Sequence, residues 1–444
     1  DKPTLSPRCY TYWVTVHCGN LPAGTEGRFE VEITAESQPD SAPAALAIDT
    51  ALPRYRFQGF GGNYCFQLES PVTEYTLSNL TVRWARTEVS LALWNGPASD
   101  QPGTRLRAEL TLMRRLQDRG IPYVASVWHL RDGLKDRLQH ITSYLLHARE
   151  RYGVEPDLFS FNEPDLGIHV LFTPEEHRCL LRDLGARFAQ LGLKTKLLLG
   201  DLSNPRNTLG YLRPALDDPD AMRHVGAVAF HSWGSTPAAQ YNEWADLAER
   251  LGLPLLITEL GADPEAYKGR AYDSYDYGLV ELRQFHELLQ HARPRAAIYW
   301  EFTADYALAN ATSAGVQPTG RFWLMKHFTC LTPPDCEVLA ASSDHRDTLV
   351  IALRKDGACT VHIANLAAAR TATVTGLPLE SKAWRAVLTT EEQGFAEQPP
   401  LEAAAGQLTV SLPPRSLLTL LAAPSPTALP DNAAPSPDSA PSSL

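Results

Sequence analysis

Leu158-Phe159-Ser160-Phe161-Asn162-Glu163-Pro164 decides how this chain reads. A short, largely apolar run fits a strand buried on both faces. It ends in an amide, a carboxylate and a proline. Leu255-Leu256-Ile257-Thr258-Glu259 repeats the design, and Glu259 follows Glu163 by 96 positions. The same signal occurs eight times along the chain. The other six runs are Arg56–Gly62, Val82–Arg86, Tyr123–Trp128, Lys196–Asp201, Ala227–His231 and Ala296–Glu301. Their starts are spaced roughly as βα units of 30 or more residues require. Helical patterns fill the gaps. Over Arg105–Arg119, Leu106, Leu110, Met113 and Leu116 share one stripe before Gly120. Thr173-Pro174-Glu175-Glu176 reads as a capping box with proline at the first helical position. Tyr277–Ala292 supplies another helix. Eight such alternations predict an α/β fold, a (β/α)₈ TIM barrel.

After Phe322–Phe328 the pattern changes. Short strand-like runs follow with no helix between them: Leu349–Leu353, Cys359–Ala364, Thr371–Thr375, Trp384–Leu388, Leu408–Leu412 and Ser416–Leu421. These predict a C-terminal antiparallel β-sandwich. Phe29–Thr34 is a further strand, expected to join that sandwich. The expected organisation is an N-terminal segment over 1–54, the barrel over 55–330 and the sandwich over 331–422. A Pro/Ser/Ala-rich tail over 423–444 is expected to be disordered.

The 444 residues are 44% hydrophobic, enough for a sizeable core. Net charge is −11 with dispersed basic residues, which argues against a nucleic-acid partner. No apolar run reaches membrane-spanning length. The start at Asp1, with no leader, leaves either a mature secreted or periplasmic protein or a trimmed chain; a secreted or periplasmic place and a monomer are expected. The seven cysteines match no zinc spacing. For Cys9 with Cys18 and Cys330 with Cys336, a local disulfide and buried free thiols both stand open.

In such barrels chemistry sits at the C-terminal ends of the strands. Read as one list, these ends are Gly61, Gly62, Asn63, Arg86, Trp128, Asn162, Glu163, Asp201, His231, Trp233, Glu259, Trp300 and Glu301. They include no clustered metal ligands, phosphate loop or dinucleotide fingerprint, so no metal or cofactor is expected. Tryptophans stack on sugar faces, and amides and carboxylates hold hydroxyls; the list reads as a carbohydrate site. Two carboxylates facing each other are the minimal apparatus for cutting a glycosidic bond.

Asn162-Glu163-Pro164 and Thr258-Glu259 resemble the motifs of the retaining (β/α)₈ glycoside hydrolases of clan GH-A, which carry acid/base and nucleophile on strands 4 and 7. Gln58-Gly59-Phe60-Gly61-Gly62 is similar to the first-strand signature of glycoside hydrolase family 30. Ser126-Val127-Trp128 resembles that family's Ser-Pro-Trp, with Val127 a departure, and Leu412–Thr419 resembles its closing sandwich strand. The resemblance spans about residues 27 to 422. It implies Glu163 as acid/base and Glu259 as nucleophile. It places Asn162 on the sugar 2-hydroxyl, Arg86 beside the nucleophile, His231 on strand 6 and Trp300 as a floor. Trp128, Trp233, Glu301 and Asn63 complete the expected substrate-binding set. A transglycosidase with the same covalent intermediate, or a catalytically silent carbohydrate-binding barrel, are the alternatives. The segments Leu68–Asn79 and Thr236–Trp244 are expected to shape the subsites.

Overall fold

The computed structural model describes residues 38–130, 136–168 and 170–422, with isolated positions between 19 and 27. The expected strand Phe29–Thr34, the Cys9–Cys18 pair and the tail from Pro424 lie outside the described residues.

Eight parallel strands close into a barrel: Gly59–Asn63, Ala85–Val89, Tyr123–Val127, Leu158–Phe161, Lys196–Leu202, Val225–Trp233, Leu255–Gly261 and Ala296–Tyr299. The first pairs with the eighth from Gly59–Ala296 to Gly62–Tyr299. Alternating side chains divide the strands between two cores. Val124, Leu158, Leu198, Ala227, Ala229, Leu256, Ala296 and Ile298 pack together. Their neighbours Phe159, Leu197, Leu199, Val228, Phe230, Leu255, Ile257 and Ala297 join the cluster built with the helices. That is the layering of a filled barrel rather than a pore.

Helices Pro71–Asn79, Arg105–Asp118, Arg137–His147, Pro174–Gln190, Ala238–Leu251 and Tyr275–His291 form the outer ring, with Gly320–Cys330 after the eighth strand. The Thr173 capping box is present: its hydroxyl accepts from the Glu176 N–H at 3.2 Å, and Glu176 accepts from the Thr173 N–H at 2.8 Å. Pro71–Asn79 and Ala238–Leu251 occupy the two segments expected to shape subsites, so most of each is ring helix rather than loop.

The flanking domain differs from the expectation in two details. Nine strands run in one continuous sheet, and strand Ala44–Phe57 pairs in parallel with Arg370–Thr375 from Ala44–Ala372 to Ala47–Thr375. The other pairings are antiparallel. Residues from both ends of the sheet, Trp384 and Ala386 with Leu408 and Val410, share one buried cluster, so the sheet folds over its own core. The run from Arg56 therefore splits. Residues up to Phe57 serve the flanking sheet, and the barrel strand begins at Gly59. Cys330 and Cys336 are free thiols. Cys336 Sγ bonds the Phe57 carbonyl and Cys330 Sγ the Asn79 carbonyl, so the two face different partners.

Sheet and barrel meet at a buried polar chain. The Thr419 hydroxyl lies 2.6 Å from His327 Nδ1 and 2.8 Å from His362 Nδ1. Thr389 and Thr332 engage the far nitrogens of the two rings. One hydroxyl donates to one ring and accepts from the other, so at least the accepting imidazole is neutral. Burial pushes His362 down to about 3, and burial with the neighbouring ring pushes His327 well below its ordinary value. Unfolded histidine titrates near ~6.5, so the unfolded chain binds more protons below that pH. This stabilisation is present above pH ~6.5 and is lost as pH falls toward about 3, by about 1.4 kcal/mol per pH unit per ring at most. Calorimetry from pH 7 to 4 should show a steeper loss of melting temperature in the wild type than in the double variant His327→Asn, His362→Asn. Parallel curves would refute the account.

Candidate active site

Asn162 and Glu163 follow the fourth barrel strand directly, and Glu259 lies within the seventh. His231 sits on the sixth strand, paired in register with Glu259. Strand geometry thus brings three chemically active side chains together. His231 Nδ1 is 3.0 Å from Glu163 Oε1 and 3.1 Å from Glu259 Oε2. The donor atoms of all three residues lie within 4.8 Å of one another, and all are buried.

Arg86 organises the opposite side. Its two terminal nitrogens donate to Glu259 Oε1 at 2.8 Å, Asn63 Oδ1 at 3.1 Å, Ser126 Oγ at 3.1 Å, Asn162 Oδ1 at 2.5 Å and Asp201 Oδ2 at 3.1 Å. The sequence pattern puts Arg86 at the end of its strand; the structure puts it near the beginning of Ala85–Val89. The apolar run stops at Ala85, but backbone pairing with Tyr123–Val127 carries the strand on through Arg86, Thr87 and Glu88. Glu88 then holds Arg105, away from the carboxylate pair.

Asp201 is the hidden hub. It is fully buried and accepts from Arg86, from Ser160 Oγ at 2.7 Å and from the Thr258 hydroxyl, while its Oδ1 faces His231 Nε2 at 3.2 Å. Asp201 and Glu163 both adopt left-handed backbone, φ 62° and 45°, and the Glu163 N–H donates to the Asp201 carbonyl at 3.1 Å. Such conformations cost on the order of 1–3 kcal/mol for a non-glycine residue and cluster at functional sites.

The charges follow from these contacts. Burial alone would raise the Glu259 pKa, but His231 and then Arg86 outweigh it and hold the carboxylate below its ordinary range. Burial raises Glu163; the charge on Glu259 adds to this, and His231 offsets only part. Burial opposes a charge on His231, yet Glu259, Asp201 and Glu163 keep its pKa well above the usual value. Burial is likewise outweighed at Asp201, first by Arg86, so it stays ionised. Two carboxylates of one residue type are thereby pushed in opposite directions.

The aromatic residues flank this centre. Trp128 and Trp300 stack with centroids 5.2 Å apart, and Phe66 meets both edge-on. Trp233 Nε1 donates to Glu259 Oε2 at 3.1 Å, and its ring packs against Trp300 and Tyr306. A Cβ at position 261 would lie 2.3 Å from the Trp233 ring, so glycine there makes the seat for that indole.

Asn63 and Glu301 are both fully buried. Asn63 donates to the carbonyls of Thr258 and Tyr299 at 3.0 and 3.2 Å and accepts from Arg86, so its amide braces the barrel wall. Glu301 has no exposed surface; Thr303 Oγ1 lies 3.5 Å from it, and burial, reinforced by Asp305, pushes its carboxyl well up. Phe66, Tyr306, Ser160 and Gly261 were not singled out from sequence. Ser160 and Gly261 sit in strands whose apolar pattern hides them, and Phe66 and Tyr306 lie in loops with no motif.

A closed barrel with a flanking β-sheet and a carboxylate pair on strands 4 and 7 has the architecture of the clan GH-A enzymes. In fold, the chain is like solved structures of glycoside hydrolase family 30. A GH30 endoxylanase from Clostridium papyrosolvens matches with TM-score 0.71 and 17% identity, over 85% of this chain and 99% of that one. A family 30 subfamily 8 xylanase from Clostridium acetobutylicum gives 0.70 and 16%, over 85% and 99%. A family 51 α-L-arabinofuranosidase from Bifidobacterium longum gives 0.64 and 17%, over 87% and 100%. At these identities the likeness is one of fold. No protein-family model matches the sequence, and no curated protein does. No helix among the described residues is long and apolar enough to cross a membrane.

Proposed function

We propose that the protein is a retaining glycoside hydrolase acting on a β-linked oligo- or polysaccharide. The observation that carries this is the short span between Glu163 and Glu259, whose donor atoms lie within 4.8 Å and share His231 Nδ1. Retaining pairs stand about 5–5.5 Å apart, whereas inverting pairs leave about 6.5–9.5 Å for a water. The xylanases among the fold neighbours support a sugar polymer as substrate.

In the first step Glu259 attacks the anomeric carbon while Glu163 gives its proton to the leaving oxygen. Glycosylation removes the charge on Glu259. Glu163 then loses the share of its raised pKa that this charge added to burial, keeps its contact with His231, and takes a proton from the water that displaces Glu259 from the anomeric carbon. Asn162, its carbonyl engaged by Arg86, has its N–H₂ for the sugar 2-hydroxyl. Trp300 and Trp128 offer an outer aromatic face for the ring, and Trp233 and Arg86 hold the nucleophile on its two oxygens.

The test is a polysaccharide digestion screen followed by proton NMR on the first products. A reducing end of the substrate's own anomeric configuration is expected before mutarotation. The inverted anomer, or no product from any β-linked glycan, would overturn the reading.

A further inference from the structure

We propose that Glu163, His231 and Glu259 also form a binding site for a borderline divalent cation, Zn²⁺ or Cu²⁺, whose occupancy shuts the sugar out. Only the inhibition depends on the hydrolase reading above; the binding depends on the side chains alone.

Three observations support the site. The first is spacing. His231 Nδ1 stands 3.0 and 3.1 Å from one oxygen of each glutamate. A cation bonded at about 2.0–2.2 Å to nitrogen and oxygen spans that separation at an angle of about 90°, the angle of tetragonal Cu²⁺ and of a Zn²⁺ expanded beyond four ligands. The second is the division of Glu259. Its Oε1 is held by Arg86, while Oε2 faces His231 and accepts only the Trp233 N–H besides, so one oxygen keeps its arginine while the other turns to a metal. The third is the support behind the imidazole. His231 Nε2 faces Asp201 Oδ1 at 3.2 Å, and Asp201 is itself tied to Arg86, Ser160 and Thr258. A carboxylate on the far nitrogen of a histidine fixes which nitrogen meets a metal. Among the described residues this is the only cluster of three or more His, Cys, Asp or Glu groups so arranged.

The donor set selects the cation. One imidazole and two carboxylates suit Zn²⁺ and Cu²⁺. Ca²⁺ takes 6–8 oxygens, and Mg²⁺ needs a near-ideal octahedron of oxygen. Three donors with an aromatic wall beside them provide neither. A bound dication would displace the protons that His231 Nδ1 and Glu163 hold and stand where the anomeric carbon must come, so its affinity should rise with pH.

Isothermal titration of the metal-free full-length protein with ZnSO₄ tests this, with MgCl₂ and CaCl₂ in parallel. One Zn²⁺ per chain is expected, with no comparable heat from Mg²⁺ or Ca²⁺. The near-isosteric Glu163→Gln should weaken Zn²⁺ binding at least about tenfold, and Asp201→Asn, which touches only the support, about 10–100-fold. Circular dichroism checks that each variant is folded. No uptake by the wild type, unchanged affinity in folded Glu163→Gln, or equal binding of Ca²⁺ would each overturn the site. On a cleaved glycan, Zn²⁺ should raise the apparent KM with kcat unchanged; loss of kcat alone would overturn the exclusion of sugar. If no glycan is cleaved, the hydrolase reading fails while the titration still decides the cation site.

Discussion

Glu259→Ala should lose turnover on its cognate glycan by about four orders of magnitude or more, equivalent to ~5.5 kcal/mol of barrier. The substitution removes the group that forms the covalent bond and leaves Arg86 and His231 facing a small cationic hollow. Azide fits that hollow and can attack in place of the carboxylate. Added azide should therefore restore part of the rate and yield a glycosyl azide of inverted configuration. The same addition should do nothing for the wild type. Wild-type turnover in a folded Glu259→Ala protein would end the assignment of the nucleophile.

Arg86→Gln is expected to cost about 3–5 kcal/mol of folding stability, the range for breaking a buried pair and leaving its partner charged. Arg86 is fully buried, and Asp201 and Glu259 both depend on it. The effect on pH dependence has a definite sign. Arg86 is one of two cations lowering the Glu259 pKa, so its loss raises that pKa. The acid limb of kcat/KM then moves to higher pH, while the limb set by Glu163 moves less. Arg86→Lys should recover little, because one ammonium cannot replace a planar fork reaching five acceptors. Denaturant unfolding measures the first effect and a pH–rate profile the second. Wild-type stability together with an unmoved acid limb would refute both.

The barrel and the carboxylate pair were legible in the sequence because both are written locally. A buried parallel strand is a continuous apolar run, and a residue at its carboxyl end inherits a place at the mouth. Arg86 was legible as a member of the site but not in its position, since its strand continues through polar residues. Asn63 and Glu301 read as mouth residues in the sequence, whereas in the structure Asn63 bonds carbonyls of the barrel wall and Glu301 is wholly buried. A polar residue at a strand end can turn into the wall as readily as into the opening, and only long-range contacts decide between them. Asp201 was legible only as the end of a strand. Its work of joining Arg86 to His231 comes from partners on five other strands, a pattern that no window of sequence contains. The parallel pairing of Ala44–Phe57 with Arg370–Thr375 was invisible for the same reason.

That pairing bears on how the polypeptide reaches its native state. The Arg370 guanidinium also bonds the Ala42 carbonyl, across a sequence separation of 328. At synthesis rates of about 5–20 residues per second, the first strand of the flanking sheet waits roughly 15 seconds to a minute for its neighbours to be made. The eight barrel strands emerge within that interval and can close on themselves. The sheet must come afterwards, and its entropic cost of loop closure falls because a finished barrel already holds both ends close together. The nascent chain meanwhile carries an orphaned strand with bare backbone donors and acceptors, the kind of edge that invites aggregation. In Ala44–Phe57 that strand includes Pro53, Arg54 and Arg56, a proline and two charges that make a poor template for a second chain.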